Sequence, residues 1–271
     1  MPACTKTNVV GTADKADAME QSKGTVPRLV SGDPAHLSGR VLKKELDQAG
    51  SPCPALPPDK HPAAKGTVYL LAKRFFDISF SLGVLITLFL PCLIIAILVW
   101  RDTKANPLYT QERMTYHGRK FRILKFRSMV PDSDDVEKHL SPAQLLLWKR
   151  ERKIPDDPRV TKLGRILRST NLDEIPQFVN VLLGDMSVVG PRPISEEELQ
   201  WFGSNKGILL SMRAGMTGLW QTSSGGTATF LAGKRQELEL EYVNRASFLL
   251  DMEIIVKTIG LVFSRTRKTL P

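Results

Sequence analysis

Ile78-Ser-Phe-Ser-Leu-Gly-Val-Leu-Ile-Thr-Leu-Phe-Leu-Pro-Cys-Leu-Ile-Ile-Ala-Ile-Leu-Val-Trp100 is a run of 23 residues without one charged side chain. A helix of that length extends about 35 Å, enough for the ~30 Å hydrocarbon core of a bilayer. It is apolar on every side, and a chain of 271 residues offers little interior in which to bury it. Two details oppose a straight crossing. Pro91 stands in mid-run, where it removes a backbone hydrogen bond and kinks the helix. Lys73 and Arg74 precede the run and Arg101 and Lys104 follow it, and positive flanks favour the cytoplasmic side at both ends. The expectation is a re-entrant helix that enters and leaves by one face, anchored through Lys73, Arg74 and Pro91.

Upstream, residues 1–66 contain no Phe, Tyr or Trp and hold 8 of the 18 prolines. Such a segment buries too little apolar surface to offset the entropy of ordering, so disorder is expected, with at most a short helix around Val41 to Gln48. No apolar stretch follows the first residues, so a signal peptide is not expected. The predicted division is 1–66 as an extension, 67–103 as the membrane region and 104–271 as a catalytic domain. Of the formal charge of +10, the first 66 residues contribute +2 (9 basic, 7 acidic) and the rest +8 (29 basic, 21 acidic). A basic folded part points to an anionic partner. Cys4, Cys53 and Cys92 are scattered and form neither a disulfide framework nor a zinc motif.

Downstream, Leu108 to Gln111 and Lys120 to Arg127 read as a β-hairpin around His117-Gly118. Helical patterns follow at Pro142 to Arg152, Leu172 to Leu183, Ser195 to Phe202 and Gly233 to Val243. A final apolar and basic stretch, Phe248 to Lys268, suits an amphipathic helix at a membrane interface. The predicted class is α+β, mostly helical, with a small hairpin, a re-entrant helix and interfacial helices.

There is no GxSxG, Walker loop, GxGxxG or HExxH, and His36, His61, His117 and His139 stand apart, which excludes the usual serine-hydrolase and histidine-metal machinery. What remains is Asp157 to Asn180. Thr170 or Asn171 is able to cap a helix, and Pro176 is tolerated in its first turn, so Asp173 and Glu174 fall at a helix start. There the dipole holds a carboxylate ionised and attracts a phosphate. Arg159, Lys162, Arg165 and Arg168 lie upstream as candidate diphosphate ligands. Acidic residues in a first turn are also routine helix stabilisers. Gly184 reads as a helix C-cap, followed by a stiff turn in which Pro191 and Pro193 mount Arg192.

Lys73-Arg74-x-x-Asp77, Lys125-Phe-Arg-Ser-Met129, Asp157-Pro-Arg-Val-Thr161, Leu172-Asp-Glu-Ile-Pro-Gln177, Gly184-Asp-Met-Ser187, Val189-Gly-Pro-Arg-Pro193 and Thr217-Gly-Leu-Trp-Gln221 stand in one order. In that order the chain, over about residues 69–265, resembles the bacterial sugar transferases, the monotopic phosphoglycosyl transferases that prime exopolysaccharide and O-antigen synthesis. The resemblance implies Asp173 as nucleophile and Glu174 as its partner, both candidates for holding Mg²⁺. It implies substrate contacts from Lys125, Arg127, Arg168, Gln177 and Arg192. It further implies a UDP-sugar donor, a polyprenol phosphate acceptor, release of UMP through an aspartyl phosphosugar, and a place in the bacterial inner membrane with the catalytic domain on the cytoplasmic face. Membrane lipid is an expected partner, later glycosyltransferases or a second copy are candidate partners, and Ser204 to Leu210 and Thr222 to Leu231 are candidate sugar readers. The sequence departs from the family at Leu90-Pro91, at Arg213-Ala-Gly215, and after Gln111-Glu-Arg113, where Met114-Thr115 stands in place of Pro-Gly.

Two rival readings remain. A non-catalytic membrane scaffold of the same fold would have no need of the intact Asp173-Glu174 and Arg192. A nucleic-acid binder would interleave basic residues with aromatics along one surface, whereas here they cluster around phosphate-sized motifs, so no nucleic acid is expected.

Overall fold

The long apolar run folds as two helices, α1 (Thr67–Thr87) and α2 (Phe89–Thr103), joined by a bend of 64°. In this computed structural model residues 65–151, 154–223 and 233–269 are described. The expected N-terminal helix and almost all of the 1–66 extension lie outside them. Among the described residues no single helix is long and apolar enough to cross a membrane, but the bent pair is. The break falls at Leu88, and Pro91 occupies the first turn of α2, where a missing N–H costs little.

The sidedness of α1 is inverted relative to a helix of a soluble domain. Lys73, Asp77 and Ser81, at four-residue spacing, are its buried residues and face the rest of the protein. Val68, Leu71, Phe75, Ile86 and, on α2, Phe89 are more than half exposed. Lys73 and Arg74 therefore turn inward instead of serving as solvent-facing basic flanks. Lys73 Nζ donates to Asp251 Oδ2 at 2.8 Å, and Arg74 donates to the carbonyls of Val181 and Leu182 at 2.6 and 2.8 Å. Their reach is spent on a charge and on carbonyls of the last turn of a helix, where Val181 O also accepts from Gly184 N at 3.0 Å.

β1 (Leu108–Met114) and β2 (Lys120–Phe126) form the expected antiparallel hairpin, in register from Leu108↔Phe126 to Met114↔Lys120. Its turn uses positive φ at His117 (56°) and Gly118 (74°). The short helix α3 (Val136–His139) leads to α4 (Pro142–Glu151), in place of the helix expected to Arg152, which is not described. Then come α5 (Lys162–Thr170), α6 (Gln177–Leu183), β3 (Met186–Val189), α7 (Glu196–Leu199) and α8 (Lys206–Leu209). β4 (Ala214–Thr217), α9 (Leu219–Ser223), α10 (Lys234–Arg245) and α11 (Phe248–Thr269) complete the order.

α5 and the parallel pair β3–β4 differ from expectation. β3 is buried at all four positions, so it shows no polar–apolar alternation, and β4 supplies Ala and Gly in place of branched residues. The main core joins Ile123 of β2, Val181 of α6, Met186 and Val189 of β3, and Tyr242 and Ile254 of the last helices. α11 buries Asp251 and Ile254 against this core and exposes Leu249 and Val256, so one face packs and another stays apolar and open.

Candidate active site

The acidic pair sits between helices, not in the first turn of one. Thr161 caps α5 by accepting from Gly164 N at 2.9 Å, and Asn171 ends it at φ 57°. Asp173 and Glu174 occupy the single 3₁₀ turn Leu172–Glu174, and Pro176 precedes α6. Neither expected cap forms. Thr170 Oγ1 donates back to Ile166 O at 2.8 Å, and Asn171 is spent on the left-handed end of α5. Gly164 allows α5 to lie against the strand end, since a Cβ there would come within 2.0 Å of Ser128 O. That contact lets Arg168 Nε donate to Ser128 Oγ at 2.8 Å.

The two carboxylates have opposite surroundings. Asp173 is 7% exposed, and burial together with the Glu174 charge raises its pKa, against the pull of Lys125 and Arg168. Burial also works against Glu174, but Lys125, whose Nζ donates to Oε1 at 2.7 Å, and Arg192 outweigh it, so its pKa is lowered. The expected ionised carboxylate at a helix start is thus Glu174. Asp173 is the one whose charge the fold disfavours, because desolvation is stronger than the dipole of one short turn.

Lys125 of β2, Glu174, Gln177 of α6 and Arg192 line one small open cleft with Arg113, Gly215 and Gln221. Arg113 and the glycine wall were not among the expected site residues. Gly190, Gly215 and Gly218 bring backbones together more closely than side chains allow: a Cβ on Gly215 would meet Gly190 N at 2.0 Å, and one on Gly218 would meet Gly190 O at 2.4 Å. This packing seats Pro191–Pro193 beside β4 and presents Arg192 to the cleft. Gly190-Pro-Arg-Pro193 was legible as part of a stiff turn, but its pairing with Gly215 and Gly218 was not.

Behind Arg192 lies a buried charged cluster that sequence reasoning missed. Arg113 Nη1 pairs with Glu198 Oε2 at 2.9 Å, and the guanidiniums of Arg192 and Arg235 lie 5.5 and 4.5 Å from the Trp220 ring centre. Glu239 Oε2 accepts from the Arg192 main-chain N–H at 3.1 Å. Trp220 belongs to the quoted Thr217–Gln221 motif and was the one available signal.

Other predicted residues fall elsewhere. Asp173 and Arg168 do not line the cleft but lie close enough to interact electrostatically with its Lys125 and Glu174, respectively. Arg127 donates from Nε to Asn106 O at 2.8 Å and stacks on Tyr109, outside the cleft wall. Arg159 is 5% exposed and bonded to Asp157 at 2.9 and 2.7 Å, so it is structural and not a diphosphate ligand. Lys162 and Arg165 are exposed on α5. Ser204 to Leu210 packs through Leu209 on a core with Met114 and Ile194, away from the cleft. Most of Thr222 to Leu231 lies outside the described residues. Among the described residues no three His, Cys, Asp or Glu converge. Asp173 and Glu174 nevertheless offer adjacent hard oxygens, which suits Mg²⁺ held by one or two carboxylates plus substrate phosphates.

Residues 68–265 match the family model described as bacterial sugar transferase. The chain is 42% identical over 196 residues to the UDP-galactose-lipid carrier transferase of Erwinia amylovora, covering 71% of this chain and 40% of that protein. It is 37% identical over 195 residues to the exopolysaccharide production protein ExoY of Sinorhizobium fredii, covering 71% and 85%. It is 38% identical over 196 residues to the undecaprenyl-phosphate galactose phosphotransferase of Salmonella typhimurium, covering 71% and 40%. The chain thus spans less than half of two of these relatives and most of the third.

Proposed function

Since the chain belongs to the bacterial sugar transferase family, we propose that it moves a phosphosugar from a UDP-sugar to polyprenol phosphate and releases UMP. The observation that carries this reading is the convergence of Lys125, Glu174, Gln177 and Arg192, from separate motifs, on one cleft. Relatives whose names specify a lipid carrier and an undecaprenyl-phosphate acceptor agree with it. Lys125 and Arg192 bind the diphosphate, as charged hydrogen bonds to phosphate are among the stronger polar contacts. An Asp173 carboxylate oxygen attacks the β-phosphorus, the bond from that phosphorus to the bridging oxygen breaks, and UMP departs with the electron pair. A polyprenol phosphate oxygen then attacks the same phosphorus, the acyl phosphate bond breaks, and Asp173 is regenerated. Asp173 and Glu174 would hold Mg²⁺, which when bound neutralises diphosphate charge.

The burial that raises the Asp173 pKa also strips water from the attacking oxygen, and Lys125 and Arg168 draw the proton off. UDP-galactose and Mg²⁺ without acceptor should therefore give a stoichiometric burst of UMP with labelled phosphosugar retained on the protein. Asp173→Asn should abolish burst and turnover. UMP that forms only with polyprenol phosphate present would mean direct transfer in a ternary complex. A second reading exchanges the carboxylates, because Glu174 and not Asp173 lines the cleft. A burst that survives in Asp173→Asn and vanishes in Glu174→Gln would establish that exchange.

The bent pair α1–α2 is read as a re-entrant anchor in the bacterial inner membrane, with the catalytic residues on the cytoplasmic side. Its support is the inward polar stripe of Lys73, Asp77 and Ser81 beside outward apolar side chains. Single cysteines at positions 65 and 104, on a chain lacking Cys4, Cys53 and Cys92, should be shielded alike from an impermeant thiol reagent. Labelling of one site alone from the periplasm would show a spanning helix instead.

A further inference from the structure

Arg192 reaches the cleft from a cluster of charged side chains. Its members include Arg113 on β1, Arg192 after β3, Glu198 on α7, and Arg235 and Glu239 on α10. Glu198 is bound twice, by Arg113 and by the main-chain N–H of Ser195 at 2.8 Å. Glu239 is different. It is 2% exposed, only its Oε2 takes the Arg192 N–H, and Oε1 is buried and accepts no hydrogen bond from the described residues. Meanwhile Arg192 and Arg235 share one face of chemistry, the Trp220 ring, where two guanidiniums repel each other unless an anion stands near.

We propose that Glu239 is the resident counter-ion of this site: its carboxylate balances Arg192 and Arg235 while no substrate is present, and it takes up a proton from solvent when a diphosphate pairs with Arg192. The inference rests on the cleft being the diphosphate site. The physical reason is competition for one cation. Arg192 favours the ionised form of Glu239, and an anion placed on Arg192 cancels that support while adding a like charge nearby. Burial is the largest influence on Glu239 and already raises its carboxyl to about 7, with Arg235 and Arg192 opposing. A small loss of support therefore changes its protonation near neutral pH. Burial and Arg192 in turn pull Arg235 down to about 9, against Glu239 and Glu198, so Arg235 stays cationic throughout. Glu239 thus acts on the site through Arg192, as a positioning residue that lets a buried arginine cluster exist before substrate arrives.

The test is calorimetric binding of UDP-galactose to full-length Asp173→Asn protein, in two buffers of different ionisation enthalpy. This ligand keeps a constant charge near neutrality, and the substitution removes the titration of Asp173, so any proton taken up belongs to the remaining protein. Uptake should approach roughly half a proton per ligand near the Glu239 pKa and fade at higher and lower pH. Adding Glu239→Gln should abolish the uptake and tighten binding several-fold above that pKa, with little change below it. A merely structural glutamate would give no uptake, and its replacement would weaken binding equally at all pH values. Absence of uptake in the Glu239-containing protein overturns the proposal whether or not the double variant folds. If UDP-galactose fails to bind, or binds as well to Asp173→Asn/Arg192→Ala, it is the diphosphate reading of the cleft that falls.

Discussion

Two buried charged clusters in this protein are built from the same kinds of residue and differ in whether their bonds are complete. At the base of the bent helix pair, Asp251 accepts from Tyr69 at 3.0 Å, Lys73 at 2.8 Å and Tyr242 at 2.7 Å. Close by, Asp77 accepts from Ser187 Oγ at 3.0 Å and Val188 N at 2.9 Å. Each carboxylate there is matched by donors from a different part of the chain. In the cleft cluster, Glu239 keeps one buried oxygen that accepts no hydrogen bond from the described residues. A fully satisfied buried network rigidifies a fold, whereas an unsatisfied one costs stability and persists where a ligand completes it. The first cluster ties α1 to β3 and α11. The second presents Arg192 to the cleft proposed above as the diphosphate site.

The sharpest way to break this contrast is Asp251→Ala. It leaves the Lys73 ammonium buried without its counter-charge, and removing one partner of a buried pair costs roughly 3–5 kcal/mol. Unfolding in detergent or lipid nanodiscs should show that loss, with transferase activity falling only as the folded fraction falls. A change below about 1 kcal/mol, the range of exposed pairs, would mean that the base cluster is not the scaffold described here.

Glu239→Gln should act in the opposite direction on stability. The folded pKa of about 7 lies above the ordinary 4.5, so between those values the native state holds a proton that the unfolded chain has released. Stability from this group is therefore greatest below the unfolded value and declines as pH rises through the window. Relative to the glutamine variant, wild type should lose on the order of 3 kcal/mol between about pH 4.5 and pH 7. Denaturation curves for the two proteins that run parallel with pH would remove Glu239 from the incompletely bonded cluster. A divergence would show stability given up at the proposed substrate site, as functional groups often require.

Legibility from sequence followed the range of the interaction. The hairpin at Leu108–Phe126 was readable because its strands are local and its turn carries Gly118. The final helix and the bent apolar run were readable from composition and length. The parallel pair β3–β4 was not, because Met186–Val189 is buried on both faces and finds its partner across an intervening segment of chain. Among the cations, Lys125 and Arg192 reached the cleft while Arg159 was taken by Asp157, two residues away. All three were candidate phosphate ligands, and only packing separated them. Arg113 stands in the Gln111-Glu-Arg113 pattern, which says nothing of where it packs, and Glu239 carries no signal beyond its charge.

What the sequence determined by itself is therefore the inventory: an uncharged run too apolar for a small interior, a proline that breaks it, and an Asp-Glu pair beside cations. Each follows from properties that residues keep wherever they are placed. The tertiary structure alone decided which charges are buried together. Lys73 meets Asp251, and Glu239 meets Arg192, only after elements far apart in the chain have packed. Charge and hydrogen-bonding capacity belong to the residue, but desolvation and pairing belong to its neighbours, and these lower the pKa of Glu174 while raising those of Asp173 and Glu239.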